Sequence, residues 1–134
     1  GVELAKKHKL PQQIIDFIRT HHGTSTVQYF YRSYINTNPV DDISEGDFTY
    51  PGPKPFSKEM AVLMIADSVE AASRSMKNIN PESINDLVDS IVEHQTGEGQ
   101  YTDADITFRD ISRVKEIFKK KLINIYHARI EYPE

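Results

Sequence analysis

The chain has 134 residues, of which 38% are hydrophobic, and a formal net charge of −4, which indicates one globular domain or a part of one. It contains no cysteine, which excludes thiolate zinc sites, disulfides and cysteine nucleophiles, and its acidic balance argues against a surface for polymeric nucleic acid. No apolar run approaches the ~20 residues of a membrane-spanning helix.

The first two predicted elements are helices. Residues 2–8 have helical composition, and Pro11 is typical of the first turn of a second helix, which we expect to run to about residue 22. The apolar stripe of that second helix is formed by Ile14, Ile15 and Ile18. Continuing the stripe by three and four residues reaches His21 and His22, close to the end of the helix. Gly23 is typical of the residue that ends a helix, because it accepts a positive φ.

The adjacent histidines have two interpretations. A protonated histidine near a helix C-terminus complements the helix dipole and binds free carbonyl groups. Two adjacent side chains, which point ~100° apart on a helix, also suit the coordination of a metal ion, for which neutral imidazole is the commonest protein ligand. This segment alone leaves both interpretations of His21 and His22 open.

The next stretch combines an aromatic segment with a long irregular one. Thr24 or Ser25 is a candidate N-cap for a helix with apolar positions at Val27, Phe30, Tyr31, Tyr34 and Ile35. Such a stripe is more typical of a core than of a stacking platform for bases. Residues 36–57 are predicted to be a loop. Their acidic run lacks the ligand spacing of an EF-hand, so a solvated loop is the better interpretation.

The helix predicted over residues 58–76 is apolar nearly all round, which indicates burial. Asp67 interrupts that apolar run, and carboxylates are rarely buried unless they are paired or bind a metal. Glu70 and Arg74 share roughly its helix face. In one interpretation Glu70 and Arg74 form an ion pair, and Asp67 caps the helix or pairs with an arginine. In the other, Asp67 is a metal ligand and Arg74 binds phosphate through its guanidinium fork. The spacing does not separate these alternatives.

Two further helices complete the prediction. Asn80 and Pro81 are typical of an N-cap followed by the first helical residue, and the apolar spacing continues to about Gln95. Thr107 and Asp110 resemble a capping box before a long final helix. Every periodic segment of the chain is therefore helical, and the sequence predicts an all-α fold.

Four sequence motifs occur in order along the chain: His21-His22-Gly23-Thr24, Tyr50-Pro51-Gly52-Pro53, the stretch from Ala66 to Ser75, and the stretch from Tyr126 to Pro133. Together they resemble the seven-transmembrane HD-domain family, which comprises membrane-anchored bacterial phosphodiesterases that hydrolyse cyclic di-AMP. The resemblance covers essentially the whole chain. It implies an HD-domain-like helical bundle.

The family resemblance also implies a site with two divalent metal ions, iron or manganese. By this resemblance His21 and His22 ligate one ion and Asp67 ligates the other, while Arg74 is the candidate contact to a substrate phosphate. The remaining ligands of the family are a histidine, a His-Asp doublet and a further histidine, and this sequence contains none of them. We therefore expect residues 1–134 to be the C-terminal part of one HD domain, truncated at its N-terminal side.

The resemblance implies that the parent protein hydrolyses cyclic di-AMP to linear pApA by two-metal in-line attack, at the cytoplasmic face of the bacterial inner membrane. The fragment itself is expected to be inactive and to self-associate through uncovered helix faces. One alternative function is a regulatory module that senses a nucleotide without hydrolysing it. Another is a helical interaction domain in which His21, His22 and Asp67 are only polar core groups.

Overall fold

A computed structural model of the chain describes residues 1–26 and 49–130, with side chains up to residue 127. These ranges contain five helices, with α1 at Val2–Lys7, α2 at Gln12–Thr20, α3 at Lys58–Ser73, α4 at Pro81–Gly97 and α5 at Phe108–Ile130. The only β pairing within them is an isolated antiparallel bridge between Thr26 and Thr49. The predicted all-α fold is confirmed.

The longer helices begin where the sequence provides capping side chains. Asn80 accepts a hydrogen bond from the backbone N–H of Ser83 at 2.8 Å and forms a capping box with it, directly before Pro81. The same reciprocal arrangement joins Thr107 and Asp110 at the start of α5, with both hydrogen bonds at 3.0 Å. Each pair satisfies N–H groups that a helix N-terminus otherwise leaves free, which fixes where α4 and α5 start.

Helix α3 lies at the centre of the packing, as its almost entirely apolar sequence predicts. It contacts α2 on one side and α4 on another, while α5 packs on α4 and α1 packs on α2. The fully or nearly buried side chains of this core are Ala61, Met64, Ile65, Val69, Val88, Val92 and Tyr101. Burying a large aliphatic side chain contributes about 1.5–3 kcal/mol, so the α3–α4 contact is a principal source of stability.

Ion pairs fix the long helix α5 against its neighbours. Asp89 of α4 lies 2.8 Å from the Lys119 ammonium and 3.3 Å from that of Lys115. The hydrogen bond from Lys119, reinforced by Lys115, lowers the pKa of the Asp89 carboxyl. Lys58, at the start of α3, pairs with Asp110 at 3.3 Å. These partly exposed pairs supplement the apolar packing of α5 against the core through Ile111, Val114, Phe118 and Leu122.

Several predicted boundaries differ from the structure, and among them α3 ends at Ser73 rather than at residue 76. Helix α2 ends at Thr20 rather than at residue 22, and residues 24–26 do not begin a helix, because Thr26 is extended and bridges to Thr49. The rest of the predicted aromatic helix and the acidic run of the loop lie outside the described residues. None of the described helices combines the length and apolar character needed to cross a membrane.

Candidate metal centre

The end of helix α2 places two imidazoles side by side. His21 is the C-cap residue of the helix, and Gly23 follows with a φ of +53°. The N–H of Gly23 donates to the carbonyl of Thr20 at 2.9 Å, and the hydroxyl of Ser25 donates to the carbonyl of His22 at 2.7 Å. This tight turn brings the two histidine rings to a centroid distance of 3.9 Å, with their planes tilted by 42°.

Asp67 approaches the histidine pair from helix α3. A ligand atom from each of His21, His22 and Asp67 lies within 4.8 Å of the other two, and all three residues are half-buried. The structure therefore brings together the three residues that the sequence predicts as metal ligands, although His22 and Asp67 are 45 positions apart in the sequence. Within the parts of the chain that the structure describes, the Asp67 carboxylate forms neither a hydrogen bond nor an ion pair with an arginine.

One nitrogen of the His21 ring forms a hydrogen bond to the backbone, and the other can bind a metal ion. Its Nδ1 lies 2.7 Å from the carbonyl oxygen of Ile18. Because a carbonyl oxygen only accepts hydrogen bonds, Nδ1 carries the proton, and Nε2 of the neutral ring keeps its lone pair. A backbone carbonyl that accepts from the second ring nitrogen is the usual arrangement around metal-binding histidines, because it fixes both tautomer and ring orientation.

The ring of His22 is held between two aromatic groups. It stacks on Tyr50 with a centroid distance of 4.2 Å and an angle of 15° between the planes, while His21 lies on another side. Burial lowers the pKa of the His22 imidazole, the neighbouring His21 lowers it further, and Asp67 partly opposes both effects. The neutral form, which is the form that binds a metal, is thereby favoured.

The chemistry and spacing of these donors fit a divalent metal ion. Metal–nitrogen and metal–oxygen bonds of about 2.1 Å allow at most about 4.2 Å between two donors of one ion. Separations of up to 4.8 Å reach that limit after side-chain adjustments of less than about an ångström. Imidazole together with carboxylate suits borderline and hard cations such as iron and manganese.

Arg74 lies apart from this cluster. Its side chain is 68% exposed and pairs with Glu70 at 3.0 Å, which is the ion pair that the sequence offered as one alternative. Both residues line a cavity of about 260 Å³ together with Leu122 and Tyr126, and none of the three predicted ligands lines it. Arg74 follows Asp67 by seven residues, which on a helix gives the same face and a separation of ~10 Å along the axis.

Two contributors to the site were not predicted from the sequence. Tyr50 belongs to a sequence motif quoted above and Gln100 lies between the last two predicted helices, but no sequence pattern gives either residue a role. Gln100 is 1% exposed and accepts a hydrogen bond from the backbone N–H of Thr24 at 3.0 Å. These contacts join segments far apart in the sequence, so no local pattern indicates them.

The fold and the cluster together define a class of structure, which is an all-α domain with a His-His-Asp candidate metal centre. The particular resemblance is to the cyclic-di-AMP phosphodiesterase PgpH. The PgpH proteins of Bacillus subtilis and Listeria monocytogenes are 43% and 42% identical to this chain over all 134 residues. The crystal structure of the L. monocytogenes PgpH HD domain in complex with cyclic di-AMP superimposes with a TM-score of 0.89 at 40% identity over 93% of this chain.

The resemblance to the HD-domain cyclic di-AMP phosphodiesterases is therefore confirmed. No family model matches the chain. The chain spans 19% and 18% of the two curated relatives and 57% of the HD-domain structure bound to cyclic di-AMP.

Proposed function

We propose that this chain supplies the ligands His21, His22 and Asp67 to the divalent metal centre of a cyclic-di-AMP phosphodiesterase, and that residues 1–134 form the C-terminal part of its HD domain. The observation that carries the proposal is the convergence of three metal-binding groups within 4.8 Å in a fold shared with an HD domain solved in complex with cyclic di-AMP. In this proposal the remaining ligands come from the part of the domain that precedes this chain.

Each of the three residues contributes a separate property to the reaction. Divalent ions in such a site supply an activated water and neutralise charge on a phosphodiester. His21 offers Nε2 in a fixed direction, because its Nδ1–H is bound to Ile18. Burial lowers the pKa of His22 and so favours its neutral form, and Asp67 adds a carboxylate with no competing protein partner among the described residues. The proposed reaction opens cyclic di-AMP to linear pApA.

Arg74 is the proposed contact to a second phosphate of the substrate. A cyclic dinucleotide has two phosphates, and Arg74 lies on the same face of α3 as Asp67, ~10 Å further along the helix. An exposed ion pair such as Arg74–Glu70 contributes only about 0–1 kcal/mol, so a phosphate can replace Glu70 at the guanidinium. In a protein that also carries the upstream ligands, Arg74→Ala should raise KM or lower kcat for cyclic di-AMP. Unchanged kinetics would remove Arg74 from the site.

Metal binding tests the proposal most directly. Mn²⁺ added to the purified chain and followed by the EPR signal of the free ion should bind to the wild type, and Asp67→Asn or His21→Ala should weaken binding by at least about 10-fold. Asp103→Asn removes the same charge at an exposed position and should leave Mn²⁺ affinity unchanged. Equal affinities in wild type, Asp67→Asn and His21→Ala would contradict the proposed metal centre.

Turnover separates hydrolysis from the regulatory alternative. A protein that combines this chain with the upstream ligands should convert cyclic di-AMP to pApA in the presence of Mn²⁺ or Fe²⁺. Binding of cyclic di-AMP without turnover would instead favour the nucleotide-sensing module. The proposed location is the cytoplasmic face of the bacterial inner membrane, where the parent is anchored.

Self-association is the proposed behaviour of the isolated chain. Leu4 on α1, Leu10 in the following turn and Ile14 on α2 are 61%, 42% and 43% exposed. Exposed apolar faces of this kind favour contacts with another surface. Light scattering at increasing concentration should show species larger than a monomer, and a strictly monomeric chain would contradict the expectation.

A further inference from the structure

Gln100 is a buried amide that binds the turn following the histidine pair. It lies just after α4, 1% exposed, and its two amide atoms contact one residue 76 positions away. Oε1 accepts from the backbone N–H of Thr24 at 3.0 Å, and Nε2 donates to the Thr24 hydroxyl oxygen at 3.1 Å. A buried amide without such partners would be strongly destabilising, so these bonds fix the position of Thr24 relative to Gln100.

Gly23, which directly follows His22, is packed against the same amide. A Cβ at Gly23 would lie 2.3 Å from Oε1 of Gln100 and 2.6 Å from Cε of Met64. The backbone after His22 therefore lies in direct contact with Gln100, and a Cβ at position 23 would force the ends of both side chains to move. Gln100 thus restricts the position of the turn after His22 through its hydrogen bonds to Thr24 and its contact with Gly23.

Tyr101, the residue after Gln100, connects to the other half of the candidate centre. Its hydroxyl donates to Oε1 of Gln95, and Nε2 of Gln95 donates to the hydroxyl of Ser68 at 2.8 Å. Ser68 is adjacent to Asp67 on α3. Gln100 is therefore hydrogen-bonded directly to the segment that carries the histidines. Tyr101 is connected through Gln95 to the segment that carries the aspartate.

We propose that Gln100 is a positioning residue for the metal ligands and holds the His21–His22 turn at the correct distance from Asp67. This inference rests on the proposed metal centre. Ligand groups must be held within about 0.5 Å of their working positions, and a pair of directional hydrogen bonds restricts the turn more tightly than apolar packing of the same volume. Gln100 itself does not contact the metal or the substrate in this proposal.

The test uses Gln100→Met, which keeps the length of the side chain but removes both hydrogen bonds to Thr24. We expect Mn²⁺ affinity to fall by about 10- to 100-fold, the range typical of residues that orient metal ligands. Val88→Ala, which truncates a fully buried side chain of α4, is the control for general loss of stability and should bind Mn²⁺ as the wild type does. Wild-type affinity in Gln100→Met would overturn the proposal.

A measurement without metal separates this inference from the proposed function. The stacking of His22 on Tyr50 at 4.2 Å should shift the ring-proton NMR signals of His22, and Gln100→Met should change those shifts while Val88→Ala should not. If wild-type His22 shifts persist in Gln100→Met, Gln100 does not position the turn, whatever the metal results. If His21→Ala and Asp67→Asn leave Mn²⁺ affinity unchanged, the metal centre fails while the NMR result still decides the role of Gln100.

A second variant covers the case in which Gln100→Met does not fold. Thr24→Val removes the hydroxyl that accepts from Gln100 but leaves the backbone N–H that donates to it. We expect the same direction of change in Mn²⁺ affinity and in the His22 shifts, with a smaller size. Wild-type values for both measurements in a folded Thr24→Val chain would overturn the proposal.

Discussion

Replacing Gly23 by alanine tests the geometry of the histidine turn through a single added carbon. Gly23 has a φ of +53°, in the left-handed region that L-residues with a Cβ disfavour. The added Cβ would also lie 2.3 Å from Oε1 of Gln100 and 2.6 Å from Cε of Met64. Both neighbours belong to nearly fully buried side chains, so neither can swing into solvent.

The expected loss of stability follows from these two contributions. The left-handed conformation costs about 1–2 kcal/mol for a non-glycine residue, and inserting a carbon into a packed interior typically costs about 1–3 kcal/mol. Gly23→Ala should therefore lower the free energy of unfolding by about 2–5 kcal/mol, out of the about 5–15 kcal/mol of a typical domain. This loss should exceed that of most single substitutions.

Urea unfolding of the chain in EDTA, followed by circular dichroism, measures this loss. Gly97→Ala is the matched control, because Gly97 is the last residue of α4, a Cβ there meets no atom within 4 Å, and the substitution should change stability by less than about 1 kcal/mol. Combining Gly23→Ala with Gln100→Ala removes one of the two clashes, so the losses should be non-additive by about 0.5–3 kcal/mol. A Gly23→Ala chain as stable as the wild type would refute the described turn.

Three further outcomes are expected. In EDTA, the lowered pKa of His22 means that the folded chain binds a proton at His22 less readily than the unfolded chain does. The stability from this difference is therefore fully present above the ordinary pKa of 6.5 and is lost as pH falls through the folded-state pKa. Urea midpoints between pH ~7.5 and ~5.5 should show this decrease, and the decrease should be smaller in His22→Asn. Asn80→Ala should lower the free energy of unfolding by about 1 kcal/mol through loss of the capping box, and an unchanged thermal midpoint would contradict that role. The 134-residue chain should show no turnover of cyclic di-AMP with Mn²⁺, because three ligands cannot hold two ions that each require about 4–6 donors; measured product would show the reasoning to be wrong.

The features that the sequence predicts correctly are those encoded by local spacing. Helix starts at Asn80 and Thr107 follow from side chains that bind N–H groups within the same turn. The turn after α2 follows from Gly23, since only glycine readily adopts the left-handed conformation. The burial of α3 follows from its apolar composition, which also makes Asp67 conspicuous.

The contacts between distant segments could not be predicted in the same way. A glutamine in a polar loop carries no signal that it will be buried, and the pairing of Gln100 with Thr24 exists only after α2, α3 and the end of α4 have packed together. The stacking of Tyr50 on His22 likewise depends on a segment that returns from elsewhere in the chain and bridges to Thr26 through Thr49. Through the family resemblance the sequence predicted which side chains are candidate ligands, whereas tertiary packing determines how close together these side chains lie.

The arrangement of charge around the cluster explains why a cation suits it better than a proton. Burial and the neighbouring His21 both oppose protonation of His22, and Asp67 only partly offsets them. Protonating His22 would place positive charge beside the His21 ring, at a centroid distance of 3.9 Å. The lone pairs of the two neutral rings would instead hold a divalent ion, and the nearby Asp67 carboxylate would balance positive charge in the centre, while the hydrogen bond between His21 and Ile18 would stay intact. The same three side chains would form an unfavourable group in a core that bound no ion, which favours the ligand interpretation over that of polar core groups.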